Sequence, residues 1–344
     1  MKEYILPTRR FFRRPHIWFW LLVVTVLFGT ATANADIIDA GEHHSIGILS
    51  DRDAHAWGGS SPYLTVPSGL SDVVDVAAGS YHNLALNADG EVYAWGLSSN
   101  GQVAVPNDLV DVLEIAAGGY HSLALTSDGT VVAWGDNSNG QTDVPDNLTD
   151  VVDIAAGFYH SLALKSDGTV VSWGNDDPSV PTTLDDVVQI DGGLFRSLAL
   201  KADGTVVAWG GSVAPALSGV VEIASGMSHS LALLSDGTVV AWGDNTNGQT
   251  NVPGGLTDVV EIAAGDYHSL ALKSDGTVVA WGRDDSGQAS VPGLTFATPA
   301  VAPAAVPEPS SVTLLGAVLL GYGWRRKRRR SVTAQHRALS KSGS

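Results

Sequence analysis

Residues 151–174 read Val151-Val152-Asp153-Ile154-Ala155-Ala156-Gly157-Phe158-Tyr159-His160-Ser161-Leu162-Ala163-Leu164-Lys165-Ser166-Asp167-Gly168-Thr169-Val170-Val171-Ser172-Trp173-Gly174. An apolar run ends in glycine, a second run follows, and an Asp-Gly pair leads into a third run ending in tryptophan. Asp-Gly between apolar runs signals a hairpin, because glycine supplies the positive φ that a tight turn needs. The unit recurs. Trp57, Trp95, Trp134, Trp173, Trp209, Trp242 and Trp281 are spaced by 38, 39, 39, 36, 33 and 39 residues. Thirteen residues before each stands His44, His82, His121, His160, Arg196, His229 or His268. That distance never varies, so the stretch between is one rigid unit and insertions lie elsewhere.

Local chemistry extends the unit into an architecture. With Asp128-Gly129 as a two-residue loop, Leu125 pairs with Val132 and Leu123 with Trp134 on a bulky face, while Ala124 and Ala133 share a small one. Stacking bulky on small around a ring buries both. The Ala-Ala-Gly end of the first strand suits a crowded axis. A turn such as Asp136-Asn137-Ser138-Asn139-Gly140-Gln141 leads into an expected fourth strand ending near Pro145. Four strands per unit, seven times over, predict an all-β fold, a seven-bladed β-propeller of ~39-residue repeats across residues 36–296. The first inner strand starts near Asp36, so closure is expected to draw on Leu294–Ala297.

The chain has 344 residues, and its hydrophobic fraction of 44% excludes a disordered polymer. It has no cysteine, which excludes disulfide scaffolds, thiol nucleophiles and thiolate metal sites. Between residues 36 and 309 six Lys/Arg face 35 Asp/Glu, a net charge of −29. Such a body repels phosphate backbones and anionic headgroups, so no nucleic-acid partner is expected.

The ends read as addresses. Residues 1–35 carry Lys2, Arg9, Arg10, Arg13 and Arg14, an apolar run from Ile17 to Phe28, and Ala33-Asn34-Ala35. This is the order of a secretory signal peptide, with cleavage expected after Ala35. Thr8-Arg9-Arg10-Phe11-Phe12 also resembles a twin-arginine export motif, and a generic basic start is the preferred reading. A Pro/Ala linker at 297–305 precedes Val306-Pro307-Glu308-Pro309, an apolar segment at 312–324 and the cluster Arg325 to Arg330. A short apolar span with a positive stop is a membrane segment whose basic side stays cytoplasmic. Membrane contact is expected only through it, and a basic tail fills 331–344.

Two resemblances follow. Residues 306–330 resemble the PEP-CTERM sorting signal of bacterial surface proteins, which implies processing by an exosortase-type enzyme and a Gram-negative-type bacterium. A plain C-terminal anchor is the alternative, and both place the body outside the cytoplasm. Residues 36–296 resemble the regulator of chromosome condensation repeat family, through units such as Gly118 to Gln141. In style, Gly248-Gln249-Thr250-Asn251-Val252-Pro253 is similar to the secreted propeller that inhibits β-lactamases, which also forms seven blades. Local departures are Arg52 for the turn glycine, Arg196 for histidine, and no Asn-Gly-Gln turn in copies one, four and five.

The six histidines are expected to be blade-internal, bonding backbone, and no metal site or cofactor is assigned; weak surface calcium is left open. The acids of the hairpins and inner strands are repeat-encoded and read as architecture. Ser and His adjoin, as in His121-Ser122, but alternation along a strand sends them to opposite faces. No nucleophile elbow or phosphate loop appears, so no enzyme is expected. The residue before the repeated His or Arg196 is aromatic in five units: Tyr81, Tyr120, Tyr159, Phe195 and Tyr267. These sit in the turn at one end of the ring and are the candidate partner-binding residues. The expected function is an exported, non-enzymatic module binding a protein or surface polysaccharide. A secreted inhibitor of an enzyme such as a β-lactamase is the alternative.

Overall fold

A computed structural model describes residues 36–175, 180–211 and 213–299. The signal peptide and sorting segment read above lie outside these residues. Seven antiparallel sheets of three strands follow one another along the chain. Their inner strands are Ile38–Ala40, Val73–Ala78, Val112–Ala117, Val151–Ala156, Val187–Gly192, Val220–Ser225 and Val259–Ala264. Each packs beside the next and the seventh beside the first, which closes a seven-bladed propeller.

Each blade has three strands where four were expected. In the third, Val112–Ala117, His121–Thr126 and Val131–Gly135 form the sheet, and no fourth strand follows Trp134 among the described residues. The backbone there is spent on its own turns. Gly140 N–H donates to Asn137 O at 3.2 Å, Asp143 N–H to Gly140 O at 3.1 Å and Leu148 N–H to Pro145 O at 3.0 Å. A segment whose donors are used locally has none left for a ladder.

The hairpin register also differs from expectation by one residue. Leu125 pairs with Val131, Ala124 with Val132, Leu123 with Ala133 and Ser122 with Trp134. The loop is longer than Asp-Gly alone. Gly129 N–H reaches Thr126 O and Thr126 N–H reaches Thr130 O, both at 2.9 Å, with Gly129 at φ 81. This is a type I turn closed by a glycine bulge. The faces change accordingly. Leu123, Leu125 and Val131 pack toward Val151, Ile154, Ala163 and Trp173 of the fourth blade. Ala124 and Trp134 pack toward Leu84 and Leu86 of the second. Six of the seven seams thus lay one blade's tryptophan over its predecessor's leucine pair, with alanine making room, and Ile46 and Ile48 take that part beneath Trp95. A fully buried leucine contributes about 1.5–3 kcal/mol, so these pairs dominate blade cohesion.

Crowding at the axis is met by glycine. A Cβ added to Gly41, Gly79, Gly118, Gly157, Gly193, Gly226 or Gly265 would lie under 3.0 Å from the carbonyl oxygen of the next glycine in that series, and Gly265 meets Gly41. Beside the short inner strand of the first blade, the C-terminal stretch completes closure, with Phe296 where the other blades have the first inner-strand residue. Leu49 bridges Phe296, Ala297 N–H donates to Ile48 O at 2.8 Å, and Phe296 lies 5.4 Å from the Trp57 ring.

Candidate partner-binding face

The repeated polar residues are committed to the seams. His82 Nε2 lies 2.9 Å from Ser122 Oγ of the next blade, His121 from Ser161 at 2.9 Å, His160 from Ser197 at 3.0 Å and His229 from Ser269 at 2.9 Å. His44 meets Asn83 at 2.9 Å, and His268 meets Ser45 at 2.8 Å across the closure. The histidines were expected to bond backbone within their own blade. They bond a side chain of the following blade instead, because the strand order places His at one seam and Ser at the other. Burial drives the ring of His44 down to about 4, and those of His82, His121, His229 and His268 to about 3. They therefore stay neutral.

The seam is completed by the turn glutamine. Gln102 O accepts from Ser122 Oγ at 2.9 Å and Trp134 Nε1 at 2.8 Å, and Gln141, Gln249 and Gln288 serve the following blades in the same way. The first unit lacks that turn, and Tyr63 O takes its place, accepting from Asn83 and Trp95. In the two other units without it, no described residue takes that place for the tryptophan. Trp209 Nε1, Trp242 Nε1 and Ser230 Oγ are buried with no partner among the described residues.

Around the axis, inner-strand acids clasp the next blade. Asp75, Glu114, Asp153 and Glu222 accept the backbone N–H of Ile115, Ile154, Ile190 and Ile262 at 2.9–3.2 Å, and Gln189 does the same for Ile223 at 3.0 Å. Glu261 closes the circle on Ile37 and Ile38 at 2.7 and 2.8 Å. Burial raises these carboxyls, Asp153 to about 6, Asp39 and Asp191 to about 7, and Asp75 and Glu222 to about 8. Asp36, Glu114 and Glu261 are raised further by burial and by neighbouring carboxylates. Of these, Asp36, Asp39, Glu114, Asp153, Asp191 and Glu222 line an axial cavity of ≈ 150 Å³.

The aromatic candidates form a ladder on one face. Tyr81 stacks on Tyr120 with centroids 5.0 Å apart, Tyr120 meets Phe158 edge-on at 5.5 Å, Phe158 meets Tyr159 at 4.6 Å, and Tyr159 stacks on Phe195 at 5.6 Å. Five rings thus span the second to fifth blades without a gap. Tyr81, Tyr120, Phe158 and Tyr159 are half-buried, and Phe195 is 52% exposed. Tyr267 stands apart beneath Arg283, whose guanidinium carbon is 5.2 Å from its ring centroid. The sequence reading had not singled out Phe158. Its signal was there, an aromatic in the variable pair Phe158-Tyr159.

The remaining blades give this face a polar half. Ser228 replaces the aromatic in the sixth. Ser80 Oγ donates to Asp266 Oδ2 at 3.2 Å, and Glu42 Oε1 lies 3.1 Å from His43 Nε2. Burial and the Glu42 charge raise Asp266 to about 7. Burial and a hydrogen bond to Glu42 push the Tyr81 phenol up as well. The face pairs an apolar arc with an acidic, hydrogen-bonding sector beside the axial cavity, which Asp266 helps to line.

This closed ring of short three-stranded blades, with its variable face, is a seven-bladed β-propeller. The regulator of chromosome condensation (RCC1) repeat model matches residues 73–102, 112–141, 151–177, 220–249 and 259–288, and the chain carries these repeats. The PEP-CTERM protein-sorting motif matches residues 305–329 and marks export and surface association in bacteria. No curated protein matches the chain. Among solved structures, the CRINKLY WD40 ectodomain of the Arabidopsis thaliana receptor kinase ACR4 is 24% identical, covering 71% of this chain and 93% of its own, with a TM-score of 0.60. The Physcomitrella patens receptor kinase CR4 ectodomain is 20% identical, covering 72% and 73%, with a TM-score of 0.61. Prp20p from Saccharomyces cerevisiae is 22% identical, covering 70% and 80%, at 0.56. These likenesses establish the fold.

Proposed function

We propose that the chain is an exported, surface-sorted, non-enzymatic binding module of a Gram-negative-type bacterium. In this reading its aromatic arc docks a protein or glycan of the envelope or extracellular matrix, after exosortase-type processing near Pro307-Glu308-Pro309. One observation carries the reading: Tyr81, Tyr120, Phe158, Tyr159 and Phe195 make an unbroken ladder over four adjacent blades. Aromatics supply large contact area with few rotors to freeze, which is why they dominate binding hot spots. The flanking Gly and His are held by the seams, so the backbone presents variable side chains at constant geometry. Binding of Gsp1p and histones is described for Prp20p. The reading takes from that only the precedent of a propeller binding proteins.

The test is a binding titration of the full chain and of a Tyr120→Ala/Tyr159→Ala variant, beside thermal melts. The ligands are the polysaccharide and protein fractions of the producing envelope and a β-lactamase panel. Truncating central anchors costs about 2 kcal/mol or more of binding. Loss of each stack costs roughly 0.5–1.5 kcal/mol of stability. The expected result is abolished binding with a modest drop in melting temperature. Undiminished binding by the variant would place the partner elsewhere. Tight, ladder-dependent capture of a β-lactamase would make the module an inhibitor.

A further inference from the structure

Donor and acceptor fail to match at the seam between the fifth and sixth blades. In regular seams the turn glutamine lies against the glycine after the tryptophan. A Cβ on Gly135, Gly174 or Gly282 would meet the Cα of Gln102, Gln141 or Gln249 at 3.1–3.2 Å. The fifth unit has no such turn, and at Gly243 the corresponding neighbour is Arg196 Nη1, at 3.4 Å. A guanidinium has moved into the place of the missing acceptor.

The groups that would have donated to that acceptor are stranded. Ser230 is 0% exposed, and its Oγ and Trp242 Nε1 have no partner among the described residues. Arg196 is 6% exposed and makes no side-chain hydrogen bond among them. The carboxylate whose charge acts on it is Asp244, and Asp244 is already engaged by Thr246 Oγ1 at 2.8 Å and Gln249 Nε2 at 2.9 Å. Three kinds of donor therefore border one seam, and neither Ser230 Oγ nor Trp242 Nε1 has an acceptor among the described residues. The seam is also reachable: Trp242 is half-buried, whereas the other six unit tryptophans are buried.

We propose that this seam binds an oxyanion, of the carboxylate or sulfate class, held by the Arg196 guanidinium, the Ser230 hydroxyl and the Trp242 indole N–H. A neutral acceptor would satisfy hydrogen bonds but add no compensation for a largely buried cation whose neighbouring carboxylate, Asp244, is already shared with Thr246 and Gln249. An oxyanion meets both needs, since its lone pairs fit the planar fork of arginine and its charge compensates the cation. The site stands on the seam alone.

The experiment is a titration of the full chain with sodium sulfate and, separately, sodium acetate, with chloride exchanged to hold ionic strength constant. The readout is the Trp242 indole ¹H–¹⁵N resonance, assigned with Trp242→Phe. The expected result is a saturable shift with at least one of the two anions, weakened about tenfold or more in Arg196→Gln. Arg196→His, which restores the residue of the other six units and gives Ser230 a partner, should abolish it while the other indole resonances stay in place. No saturable shift in the parent chain, or an unchanged shift in both variants, would overturn the proposal. An equal shift at Trp209, whose seam holds no arginine, would mean a general salt effect and overturn it too.

Discussion

At the residue scale, repeat positions are governed by backbone demands as much as by contacts. Gly90, Gly129, Gly168, Gly204, Gly237 and Gly276 hold φ between 79 and 83 in the hairpin turns, and Arg52 holds φ 71 at the same place in the first blade. A side chain in that region costs roughly 1–2 kcal/mol, because Cβ crowds the following carbonyl. Arg52→Gly relieves that strain and gives back part through unfolded-chain entropy. Denaturant titration should show a gain of up to about 1 kcal/mol, with the slope unchanged. Asp72, Asp111, Asp150, Asp186 and Asp258 sit at φ 53–62 just before the inner strands. Aspartate tolerates that region better than most residues, so these acids serve as turn residues, in line with their reading as architecture.

At the element scale, the blade is a seam device. The tryptophan indole of a regular blade donates to the glutamine carbonyl of the preceding turn, while Trp209 Nε1 has no partner among the described residues. Trp134→Phe therefore loses a buried hydrogen bond and orphans part of an acceptor, and Trp209→Phe removes a donor that had no partner. Thermal and urea melts should find Trp134→Phe more destabilising by about 1 kcal/mol. Much of the blade was legible beforehand. The fixed Trp–His distance set the rigid unit, and Asp-Gly marked the hairpin. The register was missed because Asp128-Gly129 reads equally as a two-residue loop or as the end of a type I turn with a bulge, and only the Thr126–Thr130 bond separates them. The fourth strand was over-read because Val144 and Pro145 look strand-like, although nearby donors are spent in turns. The His–Ser bond could not be seen along one strand, since its partners meet only across two blades. The aromatic face was legible, because residues that vary between fixed neighbours stand out in a repeat.

At the scale of the whole molecule, two opposed sets of buried groups govern the response to pH. The axial carboxyls hold their protons more tightly folded than unfolded, with folded values of about 6 to 8 against ordinary values of 3.8 and 4.5. Between those limits the folded state binds more protons, so their contribution falls as pH rises from about 4 to about 8. The seam histidines act in the other direction. Their folded values near 3 to 4 lie below the ordinary 6.5, so stability is lost as pH falls through that interval. Above 6.5 only the carboxyls of these two sets still titrate. The melting temperature should decline from pH 6.5 to 8.5 and also collapse below pH 4, with its maximum between. A flat profile from pH 6.5 to 8.5 would mean that the axial acids ionise freely in the folded ring.

The central claim is that the residues repeated from blade to blade build the scaffold while the aromatic arc meets the partner. Tyrosine footprinting of the full chain tests it most directly: nitration read by mass spectrometry, with and without the envelope fraction that binds. The account predicts protection of Tyr81, Tyr120 and Tyr159, with unchanged reactivity at Tyr93, which lies on the outer strand Val92–Gly96 of the second blade. Protection of Tyr93 with the three arc tyrosines unprotected would contradict it, placing the partner on the outer rim of the blades.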